Sequence, residues 1–348
     1  MEVFDQLDRH GYGELHLSLD RATGLRAIVA IHDVRLGPAL GGCRFVSYPD
    51  EPAAIIDAMR LARAMTAKAA LARLPHGGGK AVIMRPEGDD FDRAALFQSF
   101  GRFVDTLGGR YLTTEDSGTS TGDIAEVRKH TRHACGFTGE AGGSGDPSPL
   151  TALGVCRGIE ACVKHRLGRD SLQGLRVAVQ GVGNVGGHLC RELASRGAKL
   201  VIADVHAQRC ADLSEALGAE IAEVSAIHRV ECDVFAPCAL GGAINARSVP
   251  ELRCAIVAGA ANNQLESDAD GQALAERGIL LAPDYAINAG GLINVALEVS
   301  GYDPDRARER TLAIYDTILE ICERADQVGE RPDRIADAMV AEILAAAA

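Results

Sequence analysis

Lysine is scarce in this sequence of 348 residues. Of its 36 basic residues only five are lysines, namely Lys68, Lys80, Lys129, Lys164 and Lys199. An arginine stays charged in a protein, whereas burial or a nearby like charge can turn a lysine into a neutral base. Since arginine is the default here, a lysine directly after Gly77-Gly78-Gly79 indicates chemistry at Lys80. The alternative is chance, because Lys129 and Lys164 have the pattern of ordinary surface lysines.

Long runs of basic or apolar residues are also missing. The net charge is −12 and no extended basic segment occurs, so neither nucleic acid nor an anionic membrane surface is expected as a partner. No stretch reaches the ~18 apolar residues of a membrane span. The first residues do not have the pattern of a signal peptide.

The ten cysteines contain no CxxC pair. Their scatter is typical of reduced, buried thiols in a cytoplasmic protein rather than of a disulfide framework. His130, His133 and Cys135 lie close in sequence, but no second ligand cluster accompanies them. No metal is therefore expected.

Two domains are the default for a chain of this length. In the first half, alternation and a turn at Gly24 predict a strand pair over Glu14–Asp20 and Leu25–Ile31. The glycine-rich segment Leu36–Arg44 is interpreted as a loop. Helical periodicity extends from Glu51 to Ala72.

The run Gly77-Gly78-Gly79-Lys80 is not a phosphate-binding loop. Ala81 stands where such a loop has Ser or Thr, and the residues that follow read as a strand rather than a helix. The glycines are expected to let the backbone approach a ligand and to direct Lys80 into a cleft.

A complete βαβ unit with a dinucleotide fingerprint opens the second half. The apolar run Leu175–Gln180 precedes the glycine-rich segment, a helical pattern follows to Arg196, and a second strand ends at Asp204. The fingerprint itself is Gly181-Val182-Gly183-Asn184-Val185-Gly186. Such a unit binds a dinucleotide pyrophosphate at the helix N-terminus. Asp204 would accept hydrogen bonds from the ribose and repel a 2′-phosphate, which favours NAD over NADP.

Further short strands follow in this half. Because ligands bind beyond the carboxyl ends of such strands, the segments that carry Ala239, Leu240 and Asn262 are expected to contribute to the site. Asp303–Gln327 is predicted as one long helix. Glycines and prolines between Gly139 and Pro149 predict a hinge.

Segments in this order along nearly the whole chain resemble the glutamate/leucine/phenylalanine/valine dehydrogenase family, especially its branched-chain and aromatic members. The matching segments are Gly37–Gly42, Met65–Lys68, Gly77–Lys80, Thr114–Thr119, Pro147–Ala152, Ala178–Gly186, Val234–Leu240, Ala260–Gln264 and Ala282–Gly291. The resemblance implies an α/β fold of two domains with a cleft between them. Residues 1–138 would form a substrate-binding and oligomerisation domain, and residues 139–330 a Rossmann NAD-binding domain. Helix 331–348 would pack back on the first domain.

The resemblance also implies NAD-dependent oxidative deamination of an L-amino acid to a 2-oxo acid and ammonia, in a reversible reaction. Lys80 would be the base, and Asp116 would handle protons at the nitrogen. The substrate carboxylate would be bound by Lys68, with help from Gly41, Gly42, Met65 and Asn262. Thr151 would lie beside the nicotinamide amide, although it could be an ordinary helix residue.

The resemblance predicts an apolar side-chain pocket. Glutamate enzymes of the family have a lysine at the place of Leu40 and a serine at the place of Val295, and a buried carboxylate unpaired between two apolar residues is costly. Leu292 and Thr114 should line the same pocket. Leu292 resembles aromatic-specific members, whereas Thr114 would shorten the pocket.

Leucine, valine and isoleucine are accordingly the expected substrates. Phenylalanine or another aromatic amino acid is the alternative, and a non-catalytic dinucleotide-binding sensor is a remote one. A homo-oligomer is also expected from the resemblance.

Overall fold

The computed structural model describes residues 3–11, 13–88, 90–136, 143–239 and 241–347. The chain divides into two compact units. The first contains Met1–Asp146, Asn294–Pro304 and Val340–Ala348, and the second contains Pro147–Ile293 and Asp305–Met339. Both units have an α/β architecture.

The first unit is built on a five-stranded sheet of order β1-β2-β4-β3-β5. Its elements are α1 (Val3–His10), β1 (Glu14–Asp20), β2 (Leu25–Asp33), β3 (Ala39–Val46), α2 (Glu51–Leu71), β4 (Gly77–Met84), α3 (Arg93–Thr106), β5 (Tyr111–Glu115) and α4 (Thr121–Arg128). The strand pair β1/β2 is antiparallel, as predicted, and β3 pairs in parallel with both β4 and β5. Hydrophobic clusters cover both faces, one against α2 and one against α3 and α4.

The prediction of a loop over Leu36–Arg44 was wrong from Ala39 onward, because this segment is the central strand β3. Its glycines are there for close strand packing. A Cβ atom at position 41 would lie 1.8 Å from the carbonyl oxygen of Gly79 on β4, and one at position 42 would lie 2.6 Å from the carbonyl oxygen of Glu115 on β5. The glycines that read as a loop in the sequence therefore permit a crowded strand instead.

The second unit contains a six-stranded parallel sheet of order β11-β10-β9-β6-β7-β8. Its elements, in chain order, are α5 (Ser148–Leu167), β6 (Arg176–Gln180), α6 (Asn184–Ser195), β7 (Lys199–Ala203), α7 (Ala207–Leu217), β8 (Glu220–Ile221), β9 (Val234–Pro237), β10 (Ile256–Val257), α8 (Asp268–Glu276), β11 (Leu280–Leu281), α9 (Asp284–Ile287), α10 (Gly290–Ala296), α11 (Pro304–Leu312), α12 (Ile314–Val328) and α13 (Pro332–Ala346). The end of α10 and the residues of α13 from Val340 onward belong to the first unit. This strand order is that of a doubly wound Rossmann sheet, whose switch point lies between β6 and β9.

The single helix predicted over Asp303–Gln327 is two helices, α11 and α12. The buried Thr311 donates its hydroxyl to the carbonyl oxygen of Ala307, 2.8 Å away. Such a side-chain bond back to the helix competes with the backbone ladder and bends helices. The helix correspondingly breaks at Ala313.

The boundary between the units also differs from the expected one. Ser144 lies in the first unit, where its backbone N–H donates to Glu298 and its carbonyl accepts from Asn294. The carbonyl of Pro147 accepts from both the backbone and the hydroxyl of Thr151, so Pro147 belongs with α5. The switch therefore falls between Asp146 and Pro147. Part of the expected hinge, residues 139–142, lies outside the described residues.

Helix α13 is shared between the units rather than confined to the first. Residues Pro332–Met339 belong to the second unit, where Tyr285 donates its hydroxyl to Asp337 at 2.6 Å. From Val340 onward the helix belongs to the first unit, where Arg35 donates to the carbonyl oxygen of Leu344.

No helix in the described part of the chain combines the length and hydropathy that crossing a membrane requires. Within the same residues, His, Cys, Asp and Glu side chains do not gather in a group of three or more that could hold a metal ion. All ten cysteines are free thiols, and seven of them are buried.

Candidate active site

Three neighbouring strands of the first unit bring Lys80, Gly42 and Thr114 into one row. Strand β3 pairs with β4 in a register where Leu40 lies opposite Gly78 and Cys43 opposite Ala81. This register places Gly42 beside Lys80. On its other side, Gly42 pairs with Thr114 of β5. Side chains on a strand alternate between its faces, so Leu40, Arg44 and Lys80 project to the same side of the sheet. This face carries the chemical groups, and the opposite face carries the apolar cluster under α3 and α4.

Asp116 lies immediately after β5 and over the glycines of β3. A Cβ atom at position 42 would be 2.7 Å from the Cβ of Asp116. The backbone N–H of Asp116 donates to the hydroxyl of Thr119, whose oxygen lies 3.1 Å from the carbonyl of Cys43. The absence of a side chain at Gly42 therefore lets the Asp116 carboxylate reach across β3.

Lys80 and Asp116 form an ion pair at the centre of this face. The Lys80 side chain is 8% exposed, and Arg44 Nε lies 3.4 Å from the same carboxylate oxygen, Oδ2. Burial by itself would raise the pKa of Asp116, but the charges of Lys80 and Arg44 outweigh it and hold the pKa below its usual value. Asp116 is therefore ionised at neutral pH and can accept a proton.

Met65 and Lys68 lie on the last turns of α2, three residues apart and so on one helix face. A Cβ atom at position 78 would lie 2.1 Å from the backbone nitrogen of Thr66. Gly78 thus permits α2 to lie directly on β4, two residues from Lys80. Both Met65 and Lys68 are partly buried.

Leu40, Thr114 and Val295 are buried in the first unit. Gly136, with φ at +82°, connects the last two: a Cβ atom there would lie 2.4 Å from Thr114 Oγ1 and 3.9 Å from Val295 Cγ2. Leu292 is buried in the second unit, three residues before Val295 on α10. Thr114 and Val295 are therefore both neighbours of Gly136 in the first unit.

The glycine fingerprint forms a tight turn between β6 and α6. Gly181 has φ at +92°, and a Cβ atom there would lie 2.8 Å from the Cβ of Ala239, which follows β9. A Cβ atom at position 186 would lie 2.0 Å from the carbonyl oxygen of Gly181. Gly183 is the N-cap residue of α6, and the helix begins with Asn184 and Val185. The side chain of Asn184 is exposed, whereas that of Val182 is buried. Ala239 is thus brought onto the fingerprint at the switch point of the sheet.

Asp204 follows β7, and its carboxylate accepts from the backbone N–H groups of Val182 and His206 at 2.7 and 2.8 Å. It therefore fastens the fingerprint turn. Because each carboxylate oxygen accepts two hydrogen bonds, capacity for a further donor remains. A tight glycine turn that opens a helix and an acid beside it fit a dinucleotide, whose pyrophosphate needs close backbone approach.

Asn262 and Thr151 also lie in the second unit. Asn288 donates its amide to Asn262 Oδ1 at 2.8 Å. Thr151 is packed against the start of α10, since a Cβ atom at position 291 would lie 2.6 Å from its hydroxyl oxygen. Leu240 lies outside the described residues.

Comparison with known proteins bears on the whole chain. The model of the Glu/Leu/Phe/Val dehydrogenase dimerisation domain matches residues 13–133, and that of glutamate/leucine/phenylalanine/valine dehydrogenase matches residues 142–208 and 202–344. The chain is 44% identical to leucine dehydrogenase of Bacillus cereus over 99% of its length and 94% of the relative. It is 48% identical to leucine dehydrogenase of Geobacillus stearothermophilus, over 92% of this chain and 87% of that one.

The chain belongs to the Glu/Leu/Phe/Val dehydrogenase family. It is accordingly an oxidoreductase that acts on amino acids. The crystal structure of L-tryptophan dehydrogenase from Nostoc punctiforme has the same fold, with a TM-score of 0.88 and 40% sequence identity over 99% of both chains.

Sequence reasoning about this amino acid dehydrogenase missed two charged residues. Arg44 contacts both Asp116 and Asp57. Glu298 accepts from the backbone N–H groups of Gly136 and Ser144, and so holds the segment beside Thr114. A charged residue in a glycine-rich run was a usable signal for Arg44. No local pattern distinguished Glu298.

Proposed function

We propose that the protein catalyses the NAD-dependent, reversible oxidative deamination of an aliphatic L-amino acid to the 2-oxo acid and ammonia. The observation that carries this proposal is the buried Lys80–Asp116 pair beside the glycine backbone of β3. The apolar residues Leu40 and Val295 on the same unit favour leucine, isoleucine or valine, and two relatives are named leucine dehydrogenases.

Lys68 is assigned to the substrate carboxylate, with the backbone at Gly41 and Gly42 beside it. Lys68 stays charged while it pairs with the substrate carboxylate. Lys80 instead contacts Asp116, a protein carboxylate that can take its proton and so leave Lys80 as a base. Asn262 and Met65 are included among the substrate-binding residues, as the family resemblance assigns them.

A nicotinamide dinucleotide, when bound, supplies the acceptor for the hydride that leaves the substrate Cα. Lys80, once its proton has passed to Asp116, takes a proton from a water molecule as the water oxygen bonds to the carbon of the iminium. Asp116, which contacts Lys80, passes its proton to the nitrogen of the resulting carbinolamine. As the carbon–nitrogen bond breaks, Asp116 takes the proton of the carbinolamine hydroxyl, and the 2-oxo acid and ammonia are released.

The fingerprint turn from Gly181 to Gly186, together with Ala239 and Leu240, is assigned to the dinucleotide. Thr151 and Asn262 are assigned to its nicotinamide end. Asp204 supports NAD over NADP, because a carboxylate at the end of β7 accepts from ribose hydroxyls and repels a 2′-phosphate.

An aromatic substrate is the second candidate. Leu292 resembles the aromatic-specific members of the family, and the Nostoc punctiforme relative is named a tryptophan dehydrogenase. Thr114 opposes this choice, since its side chain takes up space beside Val295. One methylene group changes discrimination by only ~1–3 kcal/mol, so overlapping activities are expected.

The proposal is tested by following NADH formation at alkaline pH with L-Leu, Val, Ile, Phe, Trp, Ala and Glu, each with NAD and with NADP. Turnover of the branched-chain amino acids with NAD is expected. Preference for Phe or Trp would favour the second candidate. No turnover of any panel member, with NADH still bound, would contradict both candidates and leave either an amine substrate outside the panel or the dinucleotide-binding sensor.

We also propose that the protein is a cytoplasmic homo-oligomer. Its free thiols fit a reducing compartment. Strand β1 is at the edge of its sheet and exposes Leu17 and Leu19 at 63% and 65%. Such an edge favours pairing with another chain. Light scattering on the wild type and on Leu17→Asp/Leu19→Asp measures the mass, which we expect to fall in the variant.

A further inference from the structure

Four charged groups of alternating sign form a continuous chain on the reactive face of the first unit. It starts at Lys80 on β4, continues through Asp116 and Arg44, and ends at Asp57 on α2. Arg44 Nη1 donates to Asp57 Oδ2 at 2.9 Å, while its Nε lies 3.4 Å from Asp116 Oδ2. One guanidinium group thus lies between the helix and the catalytic carboxylate.

The properties of arginine suit this bridging position. Its planar group stays charged at every physiological pH and presents N–H donors in a fixed geometry. Arg44 is three-quarters buried, with a side-chain exposure of 24%, and Asp57 is 16% exposed. A lysine could supply the charge, but not a rigid plane in which Nη1 donates to Asp57 while the charge of the same group stays 3.4 Å from Asp116.

Asp57 is itself held in place. Tyr48 donates its hydroxyl to Asp57 Oδ2 at 2.6 Å, and Arg60 donates to Asp57 Oδ1 at 3.2 Å. Burial would raise the pKa of Asp57, but Tyr48 and Arg44 lower it below the usual value. Asp57 is therefore a fixed negative charge that draws Arg44 away from Asp116 as well as anchoring it.

Of the other titratable groups near Asp116, Glu115 directly precedes it, and burial and the charge of Asp146 raise the pKa of Glu115. Two more groups carry no charge at neutral pH. Cys43 and Tyr111 lie in the apolar cluster on the opposite face, and burial raises the pKa of Cys43 to about 12 and that of Tyr111 well above its ordinary value. Thr119 contacts only the backbone of Asp116. Lys80 and Arg44 are positively charged groups that lie against the Asp116 carboxylate and lower its pKa.

We propose that Arg44 is a positioning residue of the deamination reaction, which holds the Asp116 carboxylate against Lys80 and sets the pH at which this pair exchanges its proton. The inference rests on the proposed function of Lys80 and Asp116. Asp57, on α2, would hold Arg44 in place and partly offset its positive charge. Neither residue needs to touch the substrate.

Arg44 and Asp57 have opposite electrostatic effects on the Lys80–Asp116 pair. Without the positive charge of Arg44, the Lys80–Asp116 pair holds its proton to a higher pH. Without the negative charge of Asp57, Arg44 acts on the pair undiminished, and the proton is released at a lower pH. A purely structural anchor between β3 and α2 would not produce shifts of opposite sign.

The test is the pH profile of kcat/KM for the best substrate of the amino acid panel. In Arg44→Met the acid limb should move up by about one pH unit, with a loss of roughly 10–100-fold at neutral pH. In Asp57→Asn the limb should move down, by roughly half a unit. Arg44→Lys keeps the charge and should leave the limb near its wild-type position with a smaller loss of kcat. Arg60→Met is the matched control, because Arg60 is 62% exposed and, in the described part of the chain, contacts Asp57 at Oδ1 and not at the Oδ2 atom to which Arg44 donates.

A second readout does not require turnover. With five lysines in the chain, reductive 13C-methylation gives few signals, and Lys80→Arg assigns the one that belongs to Lys80. This signal reports the protonation of Asp116, which contacts Lys80, so its pH-dependent change should have its midpoint at higher pH in Arg44→Met than in the wild type and at lower pH in Asp57→Asn. Equal or same-direction shifts in the two variants, with NADH binding and melting temperature unchanged, would overturn the positioning role. An inactive wild type whose Lys80 signal still shifts in opposite directions would refute the proposed function and leave the electrostatic bridge standing.

Discussion

The five-stranded sheet of the first unit presents its reactive groups as side chains on or just after strands, whereas the six-stranded sheet of the second unit presents backbone. Lys80 and Arg44 project from β4 and β3, and Asp116 follows β5. In the second unit the corresponding region is the turn from Gly181 to Gly186, where nearby protein atoms exclude a side chain at Gly181 and at Gly186. The proposed function of the first unit therefore depends on which side chains are present, and that of the second unit depends on the absence of side chains at these glycines.

This difference predicts two kinds of sensitivity. A conservative exchange in the first unit changes charge and proton transfer while the backbone stays in place. In the second unit the addition of a single methyl group changes backbone geometry or ligand access without altering any charge. The following substitutions test whether the two kinds of sensitivity can be separated.

The largest effect is expected from Lys80→Met. Removing the base should lower kcat by ~10²–10⁴-fold, since that is the usual contribution of a positioned acid–base group. The affinity for NADH, measured by fluorescence titration, should be unchanged because the fingerprint lies in the other unit. Lys129→Gln is the control: Lys129 is exposed, pairs only with Glu126 in the described part of the chain, and should be dispensable. Full activity of Lys80→Met would refute the role given to Lys80.

Three glycines near the fingerprint allow the backbone requirement to be dissected. In Gly186→Ala the new Cβ would lie 2.0 Å from the carbonyl oxygen of Gly181, so we expect lower stability together with a loss of NADH affinity of ~100-fold or more. In Gly183→Ala the nearest protein atom is Arg209 Nη1 at 3.8 Å, so the protein should fold normally and lose only affinity. Calorimetry and NADH titration measure the two effects.

Gly187→Ala is the matched control. Its Cβ would be 3.5 Å from the carbonyl oxygen of Val182, an ordinary contact, and α6 would gain up to ~1 kcal/mol of stability from replacing an internal glycine. Affinity for NADH should not change. If Gly183→Ala bound NADH as well as Gly187→Ala does, close backbone approach at position 183 would be unnecessary.

The two regions also differ in how far their roles can be predicted from sequence. The βαβ unit at Leu175–Asp204 is local, so periodicity, glycine spacing and the final acid identify it, and β6, α6 and β7 confirm it. The face around Lys80 is assembled from β3, β4 and β5, which are far apart in sequence. Lys80 itself is indicated by the scarcity of lysine, but its partners on this face were predicted from family resemblance and not from pattern.

Arg44 shows why pattern fails in the first unit. It occurs in a glycine-rich run that reads as a loop, and only the pairing of β3 with β4 and β5 places it beside Asp116. Its second partner, Asp57, comes from α2. Contacts between segments that are distant in sequence produce no local periodic pattern. The glycines that allow β3 to pack closely also produce a sequence pattern that resembles a turn.

A smaller effect is expected at Asp204, where backbone and side-chain functions meet. Asp204→Asn keeps the oxygen that can accept from Val182 or His206 but removes the charge. The ratio of kcat/KM with NAD to that with NADP should therefore fall by roughly 10-fold, because repulsion of the 2′-phosphate is lost. Melting temperature should stay near that of the wild type. An unchanged ratio would mean that Asp204 serves only to fasten the turn.

The smallest effects are expected at Thr114. Its hydroxyl oxygen is buried and has no hydrogen-bond partner among the described residues. Thr114→Val keeps the shape and removes the hydroxyl, so the free energy of unfolding should rise by about 1 kcal/mol in a denaturant titration. Thr114→Ala instead creates space near Val295 and should raise the ratio of activity on Phe to activity on Leu by about a few-fold.

Comparing the two variants separates size from polarity. If side-chain volume limits the substrate, Thr114→Val leaves the Phe:Leu ratio near that of the wild type, while Thr114→Ala and Leu292→Val both shift it. A shift in Thr114→Val alone would mean that the hydroxyl, and not the space it occupies, acts on the substrate. In that case the contact of Gly136 with Thr114 would have to open during binding, since the hydroxyl oxygen is enclosed.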